Sequence, residues 1–286
     1  MTTTTAVAST RFGPWTWVGL AWLGACALYS PLFPPLLQEW AEFPSLSHGF
    51  AIPLIAGYLL WARRGRLAAT EHAPSLWGLP VVVAGLGALV AGVEASEPFL
   101  ARVSLPVTLL GLTLFVGGFR VLRETWLAIA YLFFMIPLPW ATLKQITYRS
   151  RLFDADASTW LLSWLGVPVL QEGVLLHLPN ISLEVADECS SIPAIAALLS
   201  LGVAYASLSQ RPLAVRLTLV AATLPFAIAS NIIRITTTAA AAYYLGPWTL
   251  QSFYHYFSGT VNFMLTFLLV LLLDAALSRW WSRART

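Results

Sequence analysis

The chain is poor in charged residues: Asp, Glu, Lys and Arg make up 10% of its 286 positions, whereas 58% are hydrophobic. Soluble domains carry roughly 25% charged residues, so the composition excludes an ordinary soluble protein. The thirteen Trp and nine Tyr agree with this, because both residue types are enriched at bilayer interfaces. The sequence therefore predicts a polytopic membrane protein.

Cysteines are scarce as well, and the usual metal-binding motifs are missing. Cys26 falls inside the first apolar run, where we expect it to pack, and Cys189 lies at the edge of a later run, so we expect no disulfide between them. The candidate metal ligands His48, His177, His255 and Cys189 form no HExxH or CxxC motif. We therefore expect no bound metal and no other cofactor.

The chain also lacks a recognisable soluble domain, low-complexity tract or internal repeat, and we predict a single integral membrane domain over residues 1–286. A spanning helix needs about 20 apolar residues. Eight runs approach that length, at 15–37, 48–62, 76–94, 101–118, 123–140, 189–208, 213–233 and 257–278. The first run is too long for a signal-peptide core, so we interpret it as a retained span. The predicted fold class is an all-α polytopic membrane protein.

Basic residues near the ends of the spans predict the orientation. Eight spans put both termini on one side, and a cytoplasmic N-terminus places eleven of the sixteen Lys and Arg residues inside. These eleven are Arg11, Arg63, Arg64, Arg66, Arg120, Arg123, Arg211, Arg216, Arg279, Arg283 and Arg285. The basic pI of about 9.0 therefore reflects membrane topology, and we expect no nucleic-acid partner.

The longest stretch between predicted spans, residues 141–188, is extracytoplasmic in this topology. Residues 141–165 carry apolar side chains at helical spacing among charged ones, which predicts an amphipathic helix lying on the outer leaflet. The Val-, Leu- and Gly-rich segment that follows shows partial alternation and predicts a small β-hairpin. This hairpin would lead the chain to Cys189.

Three residues suited to chemistry, Cys189, Arg234 and His255, lie at the outer ends of predicted spans six, seven and eight. Pro193 after Cys189 is typical of a first helical turn, and the positive end of a helix favours a thiolate. Arg234 lies 18 residues beyond Arg216, or roughly 27 Å along a helix, close to the thickness of a bilayer core of about 30 Å. His255 has a side chain that titrates near neutral pH and can carry a proton.

Each of the three residues has a simpler interpretation when it is taken alone. A cysteine at a span edge is commonly structural, an isolated arginine commonly reaches lipid phosphates, and a histidine between tyrosines commonly anchors a helix. Their convergence on one face favours cysteine nucleophilic chemistry at a membrane surface. His48 and Gly49, at the outer start of the second span, either line the same site or form the turn there.

Four ordered motifs resemble the exosortase/archaeosortase family. They are WAEFPSLSHGFAIPLIAGYLLWARR at 40–64, ECSS at 188–191, NIIRI at 231–235 and HYFSG at 255–259, within a similarity over about residues 38–278. The resemblance implies a catalytic triad of Cys189, Arg234 and His255. We expect further motif residues to contact the substrate, namely His48, Gly49, Glu188, Ser190, Asn231 and Gly259. The family usually has Gly two residues after the nucleophile, where this chain has Ser191.

The resemblance also implies a membrane cysteine protease-transpeptidase at the extracytoplasmic face of the inner membrane. Its substrates would be secreted proteins with a C-terminal sorting signal, made of a Pro-Glu-Pro-like motif, a spanning helix and a basic tail. Cys189 would form a thioester, His255 would transfer protons and Arg234 would stabilise the oxyanion. The expected partners are these substrates, membrane lipid and a glycan or lipid acceptor. A transporter or channel, and a non-catalytic assembly factor, are the alternative functions.

Overall fold

The computed structural model describes residues 14–209, 211–250 and 252–283, with the backbone alone for residues 14, 188, 252–258 and 280–283. The chain divides into two compact units. Unit 1 is Met1–Glu39 with Ile52–Ile136, and unit 2 is Trp40–Ala51 with Pro137–Thr286. The single domain over residues 1–286 stays a prediction.

Helices make up most of the described chain. The first six are α1 (Pro14–Leu28), α2 (Phe33–Glu42), α3 (Ala51–Ala62), α4 (Arg64–Ala69), α5 (Gly78–Glu94) and α6 (Pro98–Tyr131). The later elements, all in unit 2, are α7 (Trp140–Trp164), β1 (Leu170–Glu172), β2 (Leu175–Leu178), β3 (Ile181–Glu184), α8 (Ser191–Leu208), α9 (Leu213–Leu245) and α10 (Ser252–Arg283). Short 3₁₀ segments occur at Ser30–Leu32, Pro44–Phe50, Leu132–Met135, Asp187–Cys189 and Pro247–Leu250.

Five helical segments in the described ranges are long and apolar enough to cross a membrane, or six if one bent pair counts as a span. The five are Pro44–Ala62, Pro98–Met135, Ser191–Leu208, Leu213–Leu245 and Gly259–Arg279. The predicted span 76–94 corresponds to the apolar helix α5, which has 17 residues and is therefore short for a crossing of a typical bilayer. A multi-pass membrane protein is confirmed, and the number of eight spans stays a prediction.

The first predicted span, 15–37, is not one straight helix. Trp15–Leu28 and Ser30–Glu42 meet at an angle of 53°. Pro31, Pro34 and Pro35 follow the bend, and proline disrupts a continuing helix because it has no N–H to donate and its ring clashes with the preceding turn. The bend therefore has a signal in the sequence that hydrophobicity alone does not show.

Between the predicted spans 101–118 and 123–140 the structure has a kink in place of a longer loop. Two helical stretches within α6 meet at Gly118, where φ is 82°, and the two separate spans stay a prediction. A Cβ atom at Gly118 would lie 1.9 Å from the carbonyl oxygen of Ala73, so only glycine fits. Arg120 and Arg123 continue the helix after this break, although charged residues at the end of an apolar run are typical of a loop.

Helices α5 and α6 of unit 1 approach each other closely along a row of glycines. Gly78, Gly85 and Gly92 are spaced by seven residues, and Cβ atoms there would lie 2.3–2.5 Å from atoms of α6. Such distances are below any real Cβ contact, so larger residues would push the helices apart. Small residues at this spacing are a common way to pack helices within membranes.

Unit 1 also contains two sets of paired polar side chains, made of the buried Tyr29, Ser104 and Thr108 and of the buried Arg102 with the partly exposed Glu39. The Tyr29 hydroxyl lies 2.9 Å from Ser104 Oγ and 2.8 Å from Thr108 Oγ1. The Arg102 guanidinium donates to both carboxylate oxygens of Glu39, at 2.6 and 2.8 Å. We call this group the unit 1 polar cluster; its polar side chains are paired with each other.

In unit 2, helix α7 and the three strands lie directly before Cys189 in the chain. The predicted helix 141–165 is confirmed as α7. The predicted hairpin is a three-stranded antiparallel sheet in the order β1-β2-β3, because a second turn at Pro179 and Asn180 adds β3 to the hairpin of β1 and β2. A buried core joins α7, the sheet and α9, and Cys189 packs against it.

The three last helices differ from their predicted bounds at the end near the candidate site. Helix α8 begins at Ser191, and α10 already begins at Ser252. Helix α9 continues past the predicted end of the span at 233 to Leu245, so Arg234 lies inside the helix. The Ala-rich run after Arg234 favours this helix, which ends at Gly246 with φ of 105°, a common helix terminator.

Candidate active site

Cys189 lies on a short turn between the sheet and helix α8. Its N–H donates to the carbonyl of Ala186 at 2.9 Å, and the N–H of Ser190 donates to the carbonyl of Asp187 at 3.2 Å. The Cys189 side chain is half-buried and lies two residues before the start of α8, as the sequence predicts. The turn thus presents the thiol beside the positive end of a helix, a position that favours a thiolate.

Arg151 of α7 forms an ion pair with Asp187, the acidic residue two positions before Cys189. Its guanidinium donates to Asp187 at 2.8 Å and to Glu184 at 2.6 Å, and its Nε donates to the carbonyl of Val185. The Asp187 charge alone would oppose a thiolate on Cys189. The ion pair with Arg151 reduces that opposition and ties the turn to α7.

A fully buried carboxylate, Asp154 of α7, holds the first turn of α8. Its oxygens accept from the Ser191 N–H at 2.9 Å and from the Ser191 hydroxyl at 2.7 Å. Asn231 Nδ2 adds a third hydrogen bond at 3.2 Å. Burial raises the pKa of the Asp154 carboxyl, and these hydrogen bonds partly offset the rise. Ser191, at the position where the resemblance in the sequence leads us to expect Gly, therefore donates two hydrogen bonds to a buried acid.

Helix α9 connects this carboxylate to the thiol. Asn231 also donates to the backbone carbonyl of Cys189 at 2.7 Å. One turn further along α9, the Nη2 atom of Arg234 lies 3.8 Å from Cys189 Sγ. Because residues three apart share one face of a helix, α9 holds the backbone of Cys189 and places a cation at its sulfur at the same time.

Helix α10 also lies next to Arg234, at Gly259. A Cβ atom at Gly259 would lie 3.5 Å from the guanidinium carbon of Arg234, an ordinary van der Waals distance, so Gly259 is a direct neighbour of the guanidinium. His255 precedes Gly259 by four residues in the same helix and so shares its face. The side chain of His255 lies outside the described residues, and so does that of Glu188.

A cleft of about 770 Å³ opens beside these residues in unit 2. Five of the predicted site residues line it, namely His48, Ser190, Asn231, Arg234 and Gly259. Gly49 is buried instead against the ring of Trp40, where a Cβ atom would lie 2.5 Å from ring atoms. Gly49 is thus absent from the lining described for the cleft, and its prediction as a substrate contact receives no support.

A small cavity of about 270 Å³ lies against the sheet and is lined by Cys189, by Arg234 and by residues 182–186. Arg234 and Leu250 line both the cleft and the small cavity. A substrate that occupies both would therefore pass directly by the thiol and the guanidinium.

Sequence reasoning missed Asp154 and Arg151 as parts of the site. Both lie on α7, whose mixture of charged and apolar residues is typical of a helix on a membrane surface. Asp154 has no exposed surface, although buried carboxylates are rare unless paired. The spacing of its neighbours gives no sign of this, because all its closest partners except Ser150 come from other parts of the chain.

The model of one protein family, described as transmembrane exosortase (Exosortase_EpsH), matches residues 40–272 of the chain. The matched range begins at Trp40, just before the segment that lines the cleft, and includes Cys189, Asn231, Arg234 and His255. Comparison with the curated proteins and with the solved structures finds no match.

Proposed function

The chain belongs to the transmembrane exosortase family, and we propose that it is a cysteine transpeptidase or endopeptidase that cleaves C-terminal sorting signals of secreted proteins. The observation that carries the proposal is the 3.8 Å approach of Arg234 Nη2 to Cys189 Sγ. A thiol outside any disulfide, beside a guanidinium and a helix N-terminus, has the surroundings of a reactive cysteine.

In the proposed reaction, the Cys189 thiolate attacks the carbonyl carbon of the scissile peptide bond. The Arg234 guanidinium stabilises the oxyanion through its positive charge and its N–H donors. His255 donates a proton to the leaving amine, the C–N bond breaks, and a thioester on Cys189 remains. An acceptor then attacks the thioester carbonyl and gives its proton to His255, the C–S bond breaks, and the Cys189 thiolate is restored. The acceptor is a hydroxyl or amine of a lipid or glycan, or water.

We place this site at the extracytoplasmic face of the inner membrane. The support is the bias of the basic residues, eleven of sixteen of which lie inside in the predicted topology. A substrate whose spanning helix is fixed by a basic tail inside the cell would present its sorting motif at that face.

The test is Cys189→Ala in cells that express a secreted reporter with a Pro-Glu-Pro motif, an apolar span and a basic tail. We expect complete loss of reporter cleavage, with membrane insertion and thermal unfolding unchanged. Cys26→Ala is the matched control, because this second free cysteine lies in α1 and should leave cleavage intact. Undiminished cleavage by Cys189→Ala would refute the nucleophile and favour an assembly factor or a transporter.

A further inference from the structure

The cleft reaches into the membrane-spanning part of unit 2. On α10 its lining extends from Gly259 to Thr266, and on α8 it extends down to Leu198. Seven residues of helix correspond to about 10 Å. Both stretches belong to candidate spans, Ser191–Leu208 and Gly259–Arg279. The far end of the cleft thus lies about two helical turns inside the candidate span of α10, where a membrane-anchored peptide can reach it.

The small cavity lies on the other side of Arg234. Its lining includes Ser182–Ala186, which are strand β3 and the residues after it and belong to no candidate span, together with Cys189 and with Ile235 and Thr238 of α9. The two cavities are therefore not equivalent. The cleft extends from Arg234 along the candidate spans of α8 and α10, whereas the small cavity extends from the thiol and α9 to the sheet.

The cleft carries polar groups that other described residues do not satisfy. Asn262 Oδ1 accepts from Ser230 Oγ at 2.5 Å, but its amide N–H groups have no partner among the described residues. The buried hydroxyl of Ser190 likewise has no partner within that part of the chain. The Thr266 hydroxyl, by contrast, is engaged with Ser230 Oγ at 2.5 Å and with the Asn262 carbonyl at 2.7 Å.

A buried polar group without a partner, such as the Ser190 hydroxyl, is costly unless a ligand pairs with it, and the half-buried Asn262 amide offers further donors to such a ligand. Within a substrate helix, each peptide carbonyl is already bonded to an N–H four residues later. A chain that leaves the helix frees its carbonyls, and in a membrane it persists only where polar groups of a protein receive them. The free N–H groups of Asn262 are donors of the required kind.

We propose that the cleft binds the first residues after the scissile bond as an extended, unwound segment, while the small cavity binds the residues before it. This inference rests on the proposed function and adds to it a direction and a conformation for the substrate. A length of about 10 Å holds about three extended residues at 3.3 Å each. Asn262 then donates a hydrogen bond to a freed carbonyl within those three.

The first experiment compares a cleft variant with a control variant outside the cleft, on the same reporter. Asn262→Leu removes the free donor with little change in volume, and we expect reporter cleavage to slow about tenfold. Thr218→Val removes an α9 hydroxyl that lies outside the cleft lining and donates to the Ala214 carbonyl at 2.9 Å, and we expect cleavage within about twofold of the parent. Equal rates for both variants and the parent would overturn the role of Asn262.

The second experiment measures direction and conformation by disulfide cross-linking, which needs no catalysis. The enzyme carries Cys26→Ser and Cys189→Ala, with either Ala197→Cys in the cleft or Thr238→Cys in the small cavity. The reporters carry single cysteines on each side of the cleavage site that mass spectrometry assigns with the parent enzyme.

We expect Ala197→Cys to pair with reporter positions after the bond, at neighbouring or alternate residues, and Thr238→Cys to pair with positions before it. The reverse assignment, partners spaced by three or four residues as in a bound helix, or no cross-links to a reporter that the parent cleaves would overturn the inference. If the expected pattern appears but cleavage does not depend on Cys189, the proposed function fails and the two binding sites stand.

Discussion

Both units contain networks of buried polar side chains, but the two networks terminate at different kinds of residue. In the unit 1 polar cluster, Tyr29 pairs with two hydroxyls and Arg102 pairs with Glu39. In unit 2, Asp154 is equally buried and is bonded to Ser191 and Asn231. The unit 2 network extends further, because Asn231 also donates to the backbone carbonyl of Cys189. Arg234, on the same face of α9, lies beside the Cys189 sulfur.

The difference shows that polarity inside a membrane protein is not by itself a sign of function. Both networks have to offset the cost of desolvating charged and polar groups. The unit 1 polar cluster does so with internal pairs and leaves nothing to react. The network of Asp154 ends at the Cys189 thiol and the Arg234 guanidinium, beside an open cleft.

Among the changes that distinguish the two networks, Arg234→Lys should have the largest effect on the cleavage rate. Lysine keeps a positive charge but loses the planar fork that reaches Sγ, and we expect reporter cleavage to fall by about a thousandfold. Arg216→Lys, at the opposite end of α9, is the control and should keep nearly full cleavage. The measurement is the initial cleavage rate at equal amounts of inserted protein. An active Arg234→Lys would refute the oxyanion role of the guanidinium.

The unit 1 polar cluster should respond in the opposite way to Glu39→Leu. The change leaves the buried Arg102 guanidinium unpaired, and we expect a loss of stability on the order of 3 kcal/mol. Thermal unfolding in detergent measures it, while the cleavage rate per folded molecule stays near that of the parent. Glu71→Leu breaks an exposed ion pair with Arg120 and should change stability by less than about 1 kcal/mol. Equal effects of both changes would contradict the structural role of Glu39.

The smallest expected effects concern the supports of the thiol. Asn231→Leu removes the hydrogen bonds to Asp154 and to the Cys189 carbonyl, so we expect about a tenfold slower cleavage. Ser191→Ala removes one hydrogen bond to Asp154 and keeps the backbone bond, so we expect a loss of only a few-fold. Cleavage rates and labelling of Cys189 by a membrane-impermeant maleimide check both. A larger loss for Ser191→Ala than for Asn231→Leu would reverse this order of importance.

Much of the fold could be predicted from hydrophobic runs, and the exceptions have physical causes. Helix α7 and the last three helices follow from apolar periodicity, because their pattern is local. The kink in α6 falls at the predicted end of the span 101–118, but the absence of a longer loop there could not be predicted, since Gly118 with two arginines soon after it is equally typical of a loop. The contact that decides the matter is the packing of Gly118 on Ala73, which is distant in sequence.

The candidate site shows the same limit. The proximity of Cys189 and Arg234 could be expected, because helix length puts both at one face of the membrane. Their catalytic roles, and that of His255, stay predictions. Asp154 could not be found, because its burial depends on Ser191 and Asn231, which lie 37 and 77 residues away.

The most direct test of the account is to look for a thioester on Cys189. The enzyme and the reporter are incubated together, denatured in acid, digested and analysed by mass spectrometry with and without hydroxylamine. We expect the reporter's new C-terminus to be attached to the peptide that contains Cys189, and hydroxylamine to release it. An adduct on another residue, or cleavage that continues in Cys189→Ala, would contradict the account.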